Sequence, residues 1–418
     1  MSDLIHRSQQ GIVHIPSAVQ APGTGSVSVN TLIQRDRASG DGQIQLSKTV
    51  SYMRTSSLPH PNLALAGHKA PVLCMAWNKD GTLLATGDQS GVVLVWNVSN
   101  ATGGHVVNVH ELRGHRSGVT ALFFGVNPSG SIQDTLVVLT ALGSLHYWDM
   151  ETGNQVFVKK IVSNTICNCA CEIACEASVL SHQQGKTIME GGIAIGSDDG
   201  QVRLLDTRNN TVTGTITVPG NIPVTSVFST GLGTLLIGTL ANDILEYDLR
   251  NLDVALRAYM GHSNAVSGIS GGHILGHALD TTVPCLTASL GRDGKMRLWD
   301  NRRYVSERVN ALGRCLAVSQ EPIHPSPEMH LQRCDVVVDH SLPGSDIAPG
   351  CLMAAGGADH VVRVFSGKGE LQYSLCGHEG LVTDVKFHPR FCAGERVIAS
   401  CASDGSVLLG ELGQVKHS

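Results

Sequence analysis

One pattern restricts this chain more than any other, a strand-like segment that returns seven times. The copies are VVLVWNV (92–98), SLHYWDM (144–150), QVRLLDT (201–207), DILEYDL (243–249), KMRLWDN (295–301), VVRVFSG (361–367) and SVLLGEL (406–412). Each is rich in apolar or β-branched residues and several alternate in polarity, the mark of a strand with two different faces. Just upstream, Asp199-Gly200, Asp293-Gly294 and Asp404-Gly405 supply the positive φ angles that a two-residue hairpin turn requires. Upstream again come strands of small residues, LLATG, GIAIGS, TLLIGT, CLTASL, LMAAGG and VIASCAS. Four units also carry a Gly-His pair in front: Gly67-His68, Gly114-His115, Gly261-His262 and Gly377-His378. A unit this short cannot bury its apolar face alone, so the copies must stack on one another. The chain reads as one all-β repeat array and not as two or three unrelated domains.

Composition supports this. Of 418 residues 47 are glycine, while charged residues make up 16% and aromatics 4%. Charge is well below the ~25% of a typical soluble domain, which suits short strands and tight turns better than long solvated helices. A formal net charge of −5 argues against a dedicated binder of phosphate backbones. No apolar run approaches the ~18 residues of a membrane-spanning helix. The first residues, MSDLIHRSQQ, lack the basic-then-apolar order of a secretory leader. Twelve cysteines are then expected as buried thiols of a reducing compartment, cytosol or nucleus. Residues 1–55, dominated by Ser, Gly, Gln, Thr and Pro, are expected to form a mobile tail.

Gly-His, a small-residue strand, an Asp turn and Trp-Asp together resemble the WD repeat. The resemblance implies a four-stranded blade per unit and a seven-bladed β-propeller over residues 56–412, flanked by the tail 1–55 and a short C-terminal tail, 413–418. The mean spacing of about 52 residues exceeds the usual ~40–45, so insertions are expected at 167–192, 271–284 and 319–350. It further implies that the segment before the first Gly-His, 61–66, completes the last blade and removes an exposed edge. Within a blade it implies a buried chain from Asp to His to Ser or Thr to Trp. An imidazole can donate and accept at once, whereas an indole N–H only donates.

The framework residues that fit are His68, His115, His262 and His378; Asp199, Asp293, Asp359 and Asp404; and Trp96, Trp148 and Trp299. Only His262, Asp293 and Trp299 form a complete set in this alignment. Elsewhere the Asp column holds Ser90, Leu142 and Ala241, and the Trp column holds Leu205, Tyr247, Phe365 and Gly410. Those blades are expected to depend on apolar packing between sheets.

A His beside an Asp and a Ser also suits a hydrolase, but here the arrangement recurs blade after blade, whereas a nucleophile site occurs once and needs an oxyanion hole. No G-x-S-x-G elbow, phosphate-binding loop or H-E-x-x-H motif is present. A non-catalytic chain without cofactor or small-molecule substrate is expected. Cys167, Cys169, Cys171 and Cys175 are the one weak candidate metal set. Their C-x-C-x-C alternation puts three thiols on one face of a strand, too linear for a zinc tetrahedron, and buried structural thiols are the competing reading.

Several stretches go beyond the generic repeat. ANDILEYDLR (241–250), MGHSNAVSGIS (260–270), METGNQV (150–156), LQRCD (331–335) and a last blade with Gly410-Glu411 in place of Trp-Asp are similar to the WD-repeat subunits of the U5 small nuclear ribonucleoprotein. That resemblance implies a monomeric scaffold subunit in the nucleus, bound to the large U5 scaffold protein and other spliceosomal proteins during pre-mRNA splicing. It implies U5 RNA only as an indirect neighbour and no membrane. The binding surface it implies is the rim where innermost strands begin, with Thr120, Ser267, Thr383, Asp198, Arg292 and Ser403. Arg292 is the preferred anchor because its planar guanidinium matches a carboxylate. The alternative is a substrate receptor of a cullin-type ubiquitin ligase, since Asp206-Thr207-Arg208, Asp248-Leu249-Arg250 and Asp300-Asn301-Arg302 resemble the W-D-x-R signature of such receptors.

Overall fold

The computed structural model describes residues 12–14, 63–100, 105–125, 135–173, 192–230, 233–271, 286–301, 311–328, 330–338, 350–391 and 396–413. Over these, seven sheets follow one another along the chain, five of four strands and two of five. Their innermost strands are Val72–Trp77, Val119–Gly125, Cys167–Ile173, Val224–Ser229, Val266–Gly271, Cys334–Val338 and Val382–Phe387. Each lies against the next around a central channel, and the seventh returns to the first. The fold is the expected seven-bladed β-propeller, and its blades are numbered here in that order.

Sheet-on-sheet packing explains the sequence pattern. In blades 2 to 6 every residue of the second strand is buried: Thr135–Thr140, Gly192–Ser197, Thr234–Thr239, Leu286–Gly291 and Cys351–Gly356. Such a strand has a neighbouring blade on each face, so only small or apolar side chains fit at interior packing density. One apolar cluster fills each of the seven junctions between blades. Phe365, Leu205 and Tyr247, at positions where the repeat has Trp, are all buried in them.

The ring closes as anticipated. Leu63, Ala64 and Leu65 pair antiparallel with Leu409, Leu408 and Val407 and form the fourth strand of blade 7. Leu63 and Leu65 also pack with Val72, Trp96 and Leu409 across the junction to blade 1.

Three features differ from expectation. The segments expected as insertions, 167–192 and 319–350, contain the innermost strands of blades 3 and 6. Neither strand follows a Gly-His pair, and both mix Cys with Asn or Asp, so their polarity looks loop-like until a blade covers each face. Within the expected tail, Ile12–His14 forms a strand on Leu63–Leu65 and makes blade 7 five-stranded. Blade 4 gains a short fifth strand, Ala311–Leu312, which runs parallel to Arg257-Ala258 on its outer edge.

The closing strand seals the ring at the junction of blades 7 and 1. Truncating the buried side chain in Leu65→Ala is expected to cost about 2–5 kcal/mol. Urea denaturation should read this as a lower midpoint in one cooperative transition. A separate early transition confined to blade 7 would show that closure is not shared by the ring.

Candidate functional site

Each blade must hold a turn at the face where innermost strands begin, and in blades 1, 3, 5, 6 and 7 an aspartate takes part in this. In blade 5 the chain is complete. Trp299 Nε1 donates to Ser289 Oγ at 2.8 Å, Ser289 meets His262 Nε2 at 2.7 Å, and His262 Nδ1 donates to both oxygens of Asp293 at 3.1 Å. The donor-only indole sets the direction of the whole relay. Burial alone would raise the Asp293 carboxyl. The hydrogen bond and charge of His262 and the N–H groups of Ser263 and Lys295 outweigh this and hold it below the usual carboxylate range.

Blade 1 has the same relay, which corrects the expectation of a single complete set. His68 Nδ1 donates to Asp88 at 2.9 Å, His68 Nε2 meets Thr86 Oγ1 at 2.8 Å, and Trp96 Nε1 donates to Thr86 at 3.1 Å. The carboxylate has moved two residues upstream of Ser90, whose own N–H and hydroxyl donate to Asp88 Oδ1. A side chain grown from either position reaches the same point beside the imidazole. In blade 5 the corresponding upstream residue is Gly291, where a Cβ would come 2.3 Å from His262 Nδ1.

Blades 3 and 6, which lack the Gly-His pair, do not rely on apolar packing alone. Arg203 Nη2 donates to Asp199 at 2.5 Å and Nη1 to Ser197 Oγ at 2.7 Å. In blade 6, Arg363 donates to both oxygens of Asp359, at 3.0 and 2.5 Å. An arginine four residues on thus replaces histidine as the carboxylate's donor. In blade 2 the Asp is missing, and Trp148 Nε1 donates straight to His115 Nε2 at 3.1 Å, while His115 Nδ1 donates to Gly91 O at 2.7 Å. In blade 7 Asp404 reaches His378 only through Ser406 Oγ, 2.7 Å from the imidazole. Ser400 is ready to accept an indole that Gly410 does not supply, and a cavity of about 10 Å³ lined by both residues lies there. Blade 4, with Ala241 in the Asp column, instead buries Glu246 with Arg257 Nε at 2.9 Å and Tyr259 OH at 2.8 Å.

The rim itself is set by bulges. In six innermost strands the pairing skips one residue near the start: Leu73, Thr120, Asn168, Thr225, Ser267 and Thr383. Thr225, Asn168 and Thr383 donate to carbonyls of the next blade, at Val266, Val224 and Val72, with distances of 2.6, 2.8 and 2.6 Å. Ser267 donates to Leu290 O at 3.0 Å within its own blade. Ser267 and Thr383 are buried, and Thr120 is half-buried. Asp198 is exposed and accepts from Asn168 Nδ2 at 2.6 Å. Arg292 is half-buried and donates from Nη2 to Ser326 O at 2.9 Å, seated on the segment before blade 6. Ser403 is half-buried beside Leu381, whose carbonyl accepts its N–H.

Sequence reading missed three polar members of this rim. Thr225 follows a valine as Thr120, Ser267 and Thr383 do, a signal that could have found it. Asn168 and Gln332 lie in the stretches read as insertions. Gln332 stands where the bulge residues stand, for its Nε2 donates to Gly356 O at 2.9 Å as Ser267 does to Leu290 O.

Cys167, Cys169 and Cys171 lie on the innermost strand of blade 3, and Cys175 lies outside the described residues. The bulge between Cys167 and Cys169 breaks the expected alternation. Burial pushes the Cys167 and Cys171 thiols up to about 12 and Cys169 higher still, so all three are neutral thiols, two of them buried and Cys171 half-buried. Of the Asp-x-Arg triplets, Arg250 folds back on its own Asp248, with Nε 2.8 Å from Oδ1.

The WD domain, G-beta repeat profile matches residues 60–97 and 369–409. Over 368 residues, 86% of either chain, this chain is 28% identical to the U5 small nuclear ribonucleoprotein 40 kDa protein of Dictyostelium discoideum. It is 27% identical over 365 residues to the pre-mRNA-splicing factor cwf17 of Schizosaccharomyces pombe, covering 86% of this chain and 90% of that one. The Homo sapiens U5 40 kDa protein is 29% identical over 361 residues, 86% of each chain.

The polar frameworks make stability depend on pH in two windows. Burial pushes His378 and His146 down from 6.5 to about 4, so between these values the unfolded chain binds protons that the folded one refuses. Stability is full above about pH 6.5 and falls towards pH 4. The depressed carboxyls of Asp88, Asp199, Asp293, Asp359 and Asp404 extend the loss below 3.8. Urea midpoints measured from pH 7 to 4 should decline, and less steeply in His378→Gln; an equal slope in both would remove His378 from this account. Filling the Gly410 site has the opposite effect. A Cβ there meets nothing closer than 3.5 Å, so Gly410→Ala is expected to raise stability by about 0.4–1 kcal/mol in the same assay.

Proposed function

We propose that this chain, a WD-repeat protein resembling the U5 small nuclear ribonucleoprotein 40 kDa protein, is a non-catalytic protein-binding scaffold of pre-mRNA splicing. The observation that carries this is the extent of the likeness. It covers 86% of this chain and 86% and 90% of the two relatives, so it takes in the chain as a whole and not one pair of repeats. Function belongs to sites and not to folds, so the proposal is confined to what a propeller rim can do. The fold offers many short loops on a rigid ring, which suits simultaneous contact with protein surfaces.

The partner we propose is the large U5 scaffold protein, with other spliceosomal proteins around it, U5 RNA held only indirectly, and the nucleus as the place of action. Contact falls to Arg292, Asp198, Thr120 and Ser403 on the face where innermost strands begin. Ser267 and Thr383, whose hydroxyls are spent on buried carbonyls, shape that face from beneath. The His–Asp frameworks fit structure better than catalysis. Each imidazole nitrogen in blades 1 and 5 is already committed to a carboxylate or hydroxyl inside the blade.

Tagged full-length chain purified from nuclear extract should bring down the large U5 protein and U5 RNA. Arg292→Glu, which reverses the anchor's charge, should lower their recovery about tenfold, the size expected for a central interface charge. Recovery of a cullin-ligase adaptor without either component would overturn the proposal in favour of a ubiquitin-ligase receptor.

A further inference from the structure

We propose that Arg333 forms a carboxylate-binding point at the mouth of the central channel, taking one acidic side chain or chain terminus of a peptide bound on this face. The proposal deepens the scaffold reading and rests on it for the presence of a peptide, while the chemistry rests on the geometry around Arg333.

Arg333 follows Gln332, the rim residue of blade 6, and its backbone N–H donates to Thr383 O of blade 7 at 2.9 Å. Blade 5 stands so close that a Cβ on Gly268 would come 3.0 Å from the Arg333 Cα. The side chain therefore extends across the channel. Its Nη2 donates to Thr120 O and, at 3.5 Å, to Asn168 O, on blades 2 and 3 of the opposite wall. A guanidinium carries five N–H donors. The one on Nε and the two on Nη1 meet no acceptor among the described residues, and the residue is half-buried at this opening.

The acids nearby are engaged elsewhere. Asp384 accepts the N–H groups of Met75 at 3.0 Å and Val385 at 2.9 Å. Asp335 accepts Ser270 Oγ at 2.6 Å and Phe387 N at 2.8 Å, and faces Lys386 Nζ at 3.9 Å. Neither touches Arg333. The field of Asp384 offsets the desolvation of the guanidinium, so what a ligand carboxylate adds is acceptors for the three unused N–H donors, through short charge-assisted hydrogen bonds. The fields of Asp384, close to the guanidinium, and of Asp198, beside Asn168 on the rim, favour a singly charged carboxylate over a doubly charged phosphate.

The test uses full-length chain labelled with ¹⁵N-arginine, the Arg333 Nε–H resonance being identified by its loss in Arg333→Lys. Three probes are titrated at constant ionic strength: N-acetylaspartate N-methylamide, N-acetylglycine and inorganic phosphate. The expected result is a saturable shift with one or both carboxylates and none with phosphate. Which carboxylate acts distinguishes a side chain from a chain terminus. Backbone N–H signals of Thr120 and Asn168 should follow the same isotherm, weakened about tenfold or more in Arg333→Met. No saturable shift with either carboxylate, an equal or stronger response to phosphate, or full-strength binding in Arg333→Met would each overturn the proposal. Because the titration needs only the isolated chain, its failure leaves the splicing proposal standing, and a failed co-purification leaves the titration result standing.

Discussion

Leu63–Leu65 hydrogen-bond to Val407–Leu409 from the far end of the ring, and the rest of the propeller depends on that seam. A blade has no core of its own; its apolar residues are buried only by the blades on either side. An open array would leave two sheet faces and one strand edge in water, with the aggregation hazard that a free edge carries. The seam is reinforced beyond the strand pairing. Thr383 donates to Val72 O at 2.6 Å, Asp384 accepts Met75 N–H at 3.0 Å, and His388 Nε2 donates to Gly81 O at 3.0 Å. Each tie joins residues some three hundred positions apart, so a large loss of chain entropy is concentrated at one junction.

Within the blades the constraint is local and can be met in several ways. A turn carboxylate needs strong donors in a dry place, and imidazole, guanidinium or a relaying serine hydroxyl all provide them. This is why blades 3 and 6 keep their turns without histidine, through Arg203 and Arg363, and why Asp88 can act from two residues upstream of Ser90. Chemistry is preserved while residue columns drift. Where a member is lost without replacement, as at Gly410, the result is a small cavity and an idle Ser400 hydroxyl face.

The rim was legible in part. Val-Thr or Val-Ser after a Gly-His pair pointed to Thr120, Ser267 and Thr383, and the structure sets all three at strand bulges. Asn168 and Gln332 escaped because their strands carry no preceding Gly-His and mix polar residues with cysteine. Arg333 could not be recognised at all from local pattern. Its distinctive property is reach across the channel to carbonyls of blades 2 and 3, and nothing in a linear neighbourhood encodes which residues stand opposite.

By itself the sequence determined the class of fold, the number of blades and the closing segment, because these follow from periodic apolar strands, turn residues and the need to bury each blade's faces. Tertiary structure decided which polar groups meet: that Asp88 and not Ser90 holds His68, that arginines hold Asp199 and Asp359, and that Arg333 bridges the channel mouth. Periodicity reports which side of a strand is dry. Partnership between side chains depends on distances across sheets and blades, which are fixed only when the ring has closed.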